Sequence, residues 1–242
     1  MTAPPASDDG EAMDLIEALR STGAVRDFED RPVPREVMTR ILDTARFAPN
    51  GGNQQAWRVI LVEDPVLRRG IRDVYVEGWA EYLEQRLAGI QPWAPIGDRD
   101  AEAAAIRRAA GKAHGPDVAG ELGAFADAFD RVPVMAVVLA DLRRVAATDR
   151  DLGRYTIVGG ASVYPFVWSI LLAARAEGVG GVVTTMAVTR EPQLRDLLSI
   201  PDEFAVAAVL ALGYPVSRAT RLRREPVESF ATLDTFDGPP VG

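Results

Sequence analysis

The chain has 242 residues and a mass of 26.1 kDa, with 27 Lys and Arg against 35 Asp and Glu, so its formal net charge is −8 and its pI is near 4.8. That acidity argues against a nucleic-acid partner, which needs a basic face to displace counterions from phosphates. Cysteine is absent and histidine occurs once, at His114, which excludes disulfides, thiolate centres and multi-histidine metal sites.

Residues 1–12, MTAPPASDDGEA, have neither the basic residues nor the apolar core of a signal segment and read as a flexible start. No apolar run reaches the roughly 20 residues of a membrane span, so a cytoplasmic protein with no membrane partner is expected. With 48% hydrophobic residues, residues 13–242 have ample material for one core and are expected to form a single domain. A short helical pattern starts near Met13, with Ile16 and Leu19 on one side, and Ser21, Thr22 and Gly23 punctuate it. Residues 24–34, AVRDFEDRPVP, read as an extended arm carrying Arg26.

Val37, Met38, Ile41, Leu42 and Ala45 then repeat at helical spacing, with Pro34 suited to the first turn. Pro49 cannot donate the next backbone bond and restricts the residue before it, so this helix should end near Ala48. The polar loop that follows contains Asn50, Gly51, Gly52 and Asn53, types that accept positive φ or bond their own backbone, and then Gln54 and Gln55. Trp57, Val59, Ile60, Leu61 and Val62 read as a buried strand. Asp64 and Pro65 form a helix start, and Leu67, Ile71, Val74, Tyr75, Gly78, Tyr82 and Leu83 extend a stripe for five or six turns. Residues 89–98, GIQPWAPIGD, break it. Tyr75, Trp79, Tyr82 and Trp93 cluster at the head of segment 75–130, which reads either as a helical excursion packed on the core or as a lid over a ligand.

Residues 132–139, VPVMAVVL, form a strand pattern that is apolar on both faces, and 157–177 a long helix with Pro165 in its early part and Gly178 as its cap. Gly180 and Gly181 lead into a strand over 182–186. A dinucleotide-binding glycine turn follows a strand and opens a helix, the reverse of this order. A helix over 190–198 and a strand over 206–212 follow, and the tail 216–242 is polar, with Arg218, Arg221, Arg223 and Arg224 near its start. The alternation points to an α/β or α+β layered domain. No nucleophile elbow, metal cage or carboxylate dyad stands out, while arginines gather near residues 20–26 and 218–224. The planar guanidinium suits phosphate, so the reactive group is expected to be borrowed from a phosphorylated cofactor.

Residues 45–62, ARFAPNGGNQQAWRVILV, are similar to the pattern A-R-x-A-P-S-x-x-N-x-Q-P-W-x-F of the nitroreductase family, with Asn50 for serine and Ala56 for proline. Arg26-Asp27-Phe28 with Arg31-Pro32-Val33-Pro34, the Gly178-Val-Gly-Gly run, Leu212-Gly213-Tyr214-Pro215 and Arg223-Arg224-Glu225-Pro226-Val227 match in the same order. The resemblance implies an α+β, three-layer α/β/α domain with a central, mostly antiparallel sheet. It also implies a homodimer with exchanged tails, 216–242 crossing the dimer, and FMN at the interface. NADPH or NADH would be the reductant and a nitroaromatic, quinone or similar small aromatic the electron acceptor, in a ping-pong cycle in which flavin N5 carries the hydride and no catalytic side chain is required. Dehalogenating and flavin-cleaving branches, or a flavin-binding sensor or store without turnover, are the alternatives. On this resemblance Thr22, Arg26, Arg223 and Arg224 would hold the phosphate and ribityl chain, unless Arg20 and Ser21 take that role. Pro49, Asn50, Gly51, Asn53 and Gln55 would meet the cofactor from the partner subunit, and Thr184, Thr185 and the N–H of Met186 would face N5. Tyr75, Trp79, Tyr82 and Trp93 would bind the acceptor.

Overall fold

The structure, a computed structural model, describes residues 13–111, 121–219 and 221–242; His114 lies outside them. Its elements in chain order are α1 (Leu15–Ser21), α2 (Arg35–Ala45), β1 (Trp57–Leu61), α3 (Pro65–Leu87), α4 (Arg99–Ala109), α5 (Glu121–Asp127), β2 (Val134–Asp141), α6 (Tyr164–Ala176), β3 (Gly180–Thr184), α7 (Glu191–Leu198) and β4 (Phe204–Gly213). Packing divides the chain into two compact units, residues 24–218 and the terminal pair 1–23 with 219–242.

The larger unit is built on a fully antiparallel sheet in the order β1-β2-β4-β3. Successive side chains of a strand point to opposite faces, and both faces here are apolar. Met135, Val137 and Leu139 pack with Val209 and Ala211 under α3 and α7, whereas Ala136 and Val138 pack with Leu210 and Leu212 under α2 and α6. The result is the three-layer α+β arrangement, helices on either side of the sheet. A register shift between Val138 and Leu139 absorbs an extra residue of β4 and keeps Val206 on the α3 side.

Helix starts follow local chemistry. The Asp64 carboxylate accepts from the N–H groups of Val66 at 2.7 Å and Leu67 at 3.0 Å, and Asp98 does the same for Asp100 and Ala101. The helix expected over 157–177 is instead a turn of 3₁₀ helix, Val158–Ser162, followed by α6. The reason is Pro165, which lacks an N–H and so sits in the first turn of the α-helix rather than one or two turns in. The strand expected over 182–186 is displaced to Gly180–Thr184: Gly180 pairs with Gly213 and Gly181 with Leu212. These glycines belong to the strand because a Cβ at Gly181 would meet the Ala211 carbonyl oxygen at 2.6 Å. Strand β2 likewise begins after Pro133, two residues later than expected. Residues 75–87 are the second half of the continuous helix α3, and the chain leaves it only at Gly89. Among the described residues no helix is long and apolar enough to cross a membrane.

In the smaller unit, Asp14 caps α1 through the Glu17 N–H at 2.9 Å, and a Cβ on Gly23 would stand 2.9 Å from Leu222 of the tail. The tail folds back on itself, with Leu233 N–H donating to the Pro239 carbonyl at 2.8 Å and Val241 N–H to that of Ala231 at 2.9 Å. Leu15, Ile16, Phe230, Leu233 and Phe236 are exposed.

Candidate functional site

The extended arm after residue 24 is tied to the sheet. Val25 N–H donates to the Gly181 carbonyl at 2.9 Å, Glu29 N–H to that of Tyr214 at 2.8 Å, and Phe28 bridges Pro215. This path brings the exposed Arg26 close enough to the Tyr75 phenol for its charge to act there. Burial pushes the Tyr75 phenol above its usual pKa, opposed by hydrogen bonding with Thr184 and by the Arg26 cation, so Tyr75 is a neutral phenol across the physiological range. Its ring is core: it stacks on Phe129 at 4.3 Å and meets Phe125 edge-on at 6.2 Å. Only the hydroxyl turns toward Thr184.

Thr184 closes β3 and is buried, while Thr185 is exposed and Met186 opens a 3₁₀ turn, Met186–Arg190. The Met186 N–H donates to Thr184 Oγ1 at 3.3 Å, and the Met186 carbonyl accepts from Thr189 Oγ1 at 2.8 Å. Arg26, Tyr75, Thr184 and Met186 therefore form one cluster at the outer end of β3. Arg26 makes no ion pair among the described residues.

The polar loop lies elsewhere. Asn50 uses its side chain on the loop's own backbone, accepting from Gln55 N–H at 2.8 Å and donating to the Ala48 carbonyl at 3.1 Å. Gly52, Asn53 and Gln55 all have positive φ, at 58°, 54° and 49°, a conformation uncommon outside glycine that concentrates at functional sites. The side chains of Asn53 and Gln55 are exposed and make no hydrogen bond among the described residues; Pro49 is exposed as well. Gly51 packs so closely on the segment after β2 that a Cβ would stand 2.9 Å from that of Ala146. Trp57 anchors the loop by stacking on Phe166 at 4.5 Å. Because the loop leads into β1, it and the Thr184 cluster lie at opposite edges of the sheet, three interstrand steps or about 14 Å apart.

The four aromatics divide. Trp79, Tyr82 and Trp93 form a run, with ring centroids 5.1 Å apart for Trp79 and Tyr82 and 6.2 Å for Tyr82 and Trp93, whereas Tyr75 belongs to the separate stack on Phe129. The Trp79 indole N–H is buried with no partner among the described residues, and so is the hydroxyl of Thr22 in the smaller unit. Such orphaned donors and acceptors are uncommon in native interiors and point to an additional partner. Arg223 and Arg224, in the same smaller unit, are exposed and pair with no carboxylate among the described residues; Arg224 donates to the Arg223 carbonyl at 2.7 Å. Sequence reasoning missed two features of the larger unit. One is the buried Glu81 paired with Arg190. The other is Asp149, whose carboxylate takes the N–H groups of Ile157 at 2.8 Å and Val158 at 3.3 Å and the Arg154 guanidinium at 2.8 Å. Only the glutamates at 77, 81 and 84, on a helix half otherwise built of apolar residues from 74 to 83, could have signalled the first.

The family model described as the nitroreductase family matches residues 19–214. An NADH dehydrogenase of Thermus thermophilus is 27% identical over 216 residues, covering 89% of this chain and 94% of that protein. Among solved structures, the FMN and NADPH-dependent nitroreductase NfnB from sphigopyxis sp. strain HMH has a TM-score of 0.62 at 23% identity, with 93% of this chain and 100% of that one covered. Oxidized iodotyrosine deiodinase bound to FMN and 3-iodo-L-tyrosine has a TM-score of 0.61 at 22% identity, with 92% and 100% covered. At those identities the two structures speak for the fold. With most of its length matched by the family model, the chain belongs to the nitroreductase family.

Proposed function

We propose that this protein is an FMN-dependent oxidoreductase that takes hydride from NADPH or NADH and passes it to a flat aromatic acceptor such as a nitroaromatic or quinone, acting as a homodimer. The observation that carries the proposal is a set of polar groups left without a side-chain or ion-pair partner among the described residues: the Arg26 guanidinium, the Asn53 and Gln55 amides, the buried Thr22 hydroxyl, and the Arg223 and Arg224 guanidiniums, which meet no carboxylate. Their chemistry fits a phosphorylated flavin. Arginines and a hydroxyl suit the phosphate and ribityl chain, and amides suit the edge of the pyrimidine ring.

Within the larger unit, Arg26 with Thr184, Thr185 and the Met186 N–H would meet the redox-active edge; within the smaller unit, Thr22, Arg223 and Arg224 carry the groups that suit a phosphate. Bound FMN supplies hydride acceptance and release at N5. What the chain supplies is orientation and charge: the Arg26 cation favours a more negative cofactor, and the buried Tyr75 and Thr184 exclude water from that edge. The loop of Pro49, Asn50, Gly51, Asn53 and Gln55 stands about 14 Å or more from this cluster by strand spacing. For both to meet one flavin, the loop must come from a second chain. The exposed apolar residues of α1 and of the tail, Leu15, Ile16, Phe230 and Phe236, are surface that such a second chain would cover. The Trp79, Tyr82 and Trp93 run would supply an apolar backing for a flat acceptor.

The test is an absorbance spectrum of the purified protein loaded with FMN, followed by NADPH and NADH oxidation with a nitroaromatic, a quinone and a halogenated phenol. Flavin bands with steady nicotinamide consumption on the first two acceptors are expected, and sedimentation should give twice the chain mass. Protein that takes up no FMN overturns the proposal. Flavin that is reduced but reoxidised by no acceptor leaves a store rather than an enzyme.

A further inference from the structure

Helix α3 lays one face on the turn that follows β3, and that face carries Tyr75, Gly78 and Glu81 at three-residue spacing. At Gly78 the two backbones touch. A Cβ built there would stand 2.2 Å from the Met186 carbonyl oxygen and 2.9 Å from Thr189 Oγ1, and Thr189 Oγ1 itself donates to that carbonyl. One turn further along, the Arg190 guanidinium pairs with the Glu81 carboxylate and reaches Glu77 at 3.2 Å. Glu81 is 5% exposed. A carboxylate buried that far is costly unless paired, and such a pair adds little net stability while enforcing one geometry. The pair therefore calls for an explanation other than stability, and its position offers one: Arg190 ends the same 3₁₀ turn that Met186 begins.

We propose that Glu81 and Arg190, together with Gly78, are positioning residues that fix α3 against residues 186–190 and thereby set where the Met186 N–H and the Thr184 hydroxyl stand toward the flavin. The inference rests on the flavin reading above. Gly78 sets how close the helix comes. The Arg190 fork to Glu81 and Glu77 sets the register, since a guanidinium with two carboxylates in reach has few alternative placements. The same helix holds the acceptor-side segment through Gln85, which is fully buried and accepts from the Trp93 N–H at 2.9 Å. One rigid element thus spans the redox-active edge and the aromatic run. A displacement of the order of 1 Å in such a support is enough to cost up to about 100-fold in rate.

The test uses Glu81→Gln, which keeps shape and hydrogen bonding but removes the charge, and Arg190→Lys, which keeps the charge but loses the fork. Hydrogen exchange in the full chain without added FMN should quicken about tenfold in peptides covering residues 184–190 and stay unchanged in β2. In the FMN-loaded protein, kcat should fall about tenfold, with KM for the nicotinamide and Kd for FMN within about twofold of wild type. If Arg190→Lys does not fold, Glu81→Gln decides alone. Unchanged exchange over 184–190 defeats the brace whether or not FMN binds, and a loss of kcat that only parallels lost FMN makes these residues cofactor supports and overturns the positioning role. Wild-type protein that binds no FMN defeats the flavin reading instead.

Discussion

Replacing Gly78 by alanine sets two effects against each other. In an ordinary helix interior the change stabilises by about 0.5–1 kcal/mol, because glycine loses more backbone freedom on folding. Here the new methyl would stand 2.2 Å from the Met186 carbonyl oxygen and 2.9 Å from its carbonyl carbon. An ordinary carbon-to-oxygen contact is about 3.3–3.6 Å, so α3 and the 186–190 turn must separate by about 1 Å. Overpacking of this kind costs about 1–3 kcal/mol, and the obstacle is backbone, which cannot swing aside as a side chain can. A backbone obstacle puts the cost at the upper end, about 2–3 kcal/mol, so the clash wins and leaves a net destabilisation of about 1–2.5 kcal/mol, or a Tm lower by about 2–10 °C for a chain of this size. Calorimetry on Gly78→Ala beside Gly97→Ala checks this, since a Cβ at Gly97 meets only Ala94, at 3.8 Å. A Tm for Gly78→Ala at or above wild type refutes the close-approach reasoning.

Arg26→Ala should weaken FMN binding by about tenfold, the low end for a charge-assisted hydrogen bond at an exposed site, while Arg46→Ala, at the exposed C-terminal cap of α2 in a pair with Asp43, leaves the FMN Kd unchanged; equal constants in titrations of the two variants remove Arg26 from the site. The Asp149 carboxyl is held below its usual pKa by the Ile157 N–H and the Arg154 guanidinium, working against burial. Its folded pKa lies below the unfolded one, so its stabilisation is complete above about pH 4 and is lost as pH falls through the folded value. Urea midpoints should accordingly drop more steeply from pH 5 to pH 2.5, both round values about the carboxylate range, in wild type than in Asp149→Asn, and parallel curves would contradict this. Leu194→Ala, at a site with no exposure under the sheet, should cost about 2–5 kcal/mol, against less than about 0.5 kcal/mol for Leu152→Ala on the surface; similar urea midpoints for the two would place Leu194 outside the core.

Much of this protein was legible in local sequence. The Asp64-Pro65 start of α3 and the strand character of β2 and β4 follow from capping, from proline and from apolar runs, all of which act over a few residues; α2 ends at Ala45 rather than near Ala48, because residues 46–48 already turn toward Pro49. The shifts came where a partner strand or helix decided. Gly180 and Gly181 read as a lead-in until pairing with β4 drew them into β3, because strand limits are set by the neighbour's hydrogen bonds. The candidate site divides the same way. The arginines near residues 20–26 and 218–224 point to a phosphorylated cofactor from sequence alone, since charge is a property of single residues, whereas 50–55 and 184–186 are read as cofactor residues only through the family resemblance. That the Tyr75 hydroxyl meets Thr184, that Gly78 touches Met186, and that Glu81 holds Arg190 across 109 positions are decided only by tertiary packing. Sequence determines which chemistry the chain can offer; the antiparallel sheet order places the loop and the β3 end at opposite edges, because strand adjacency depends on how the whole chain folds back.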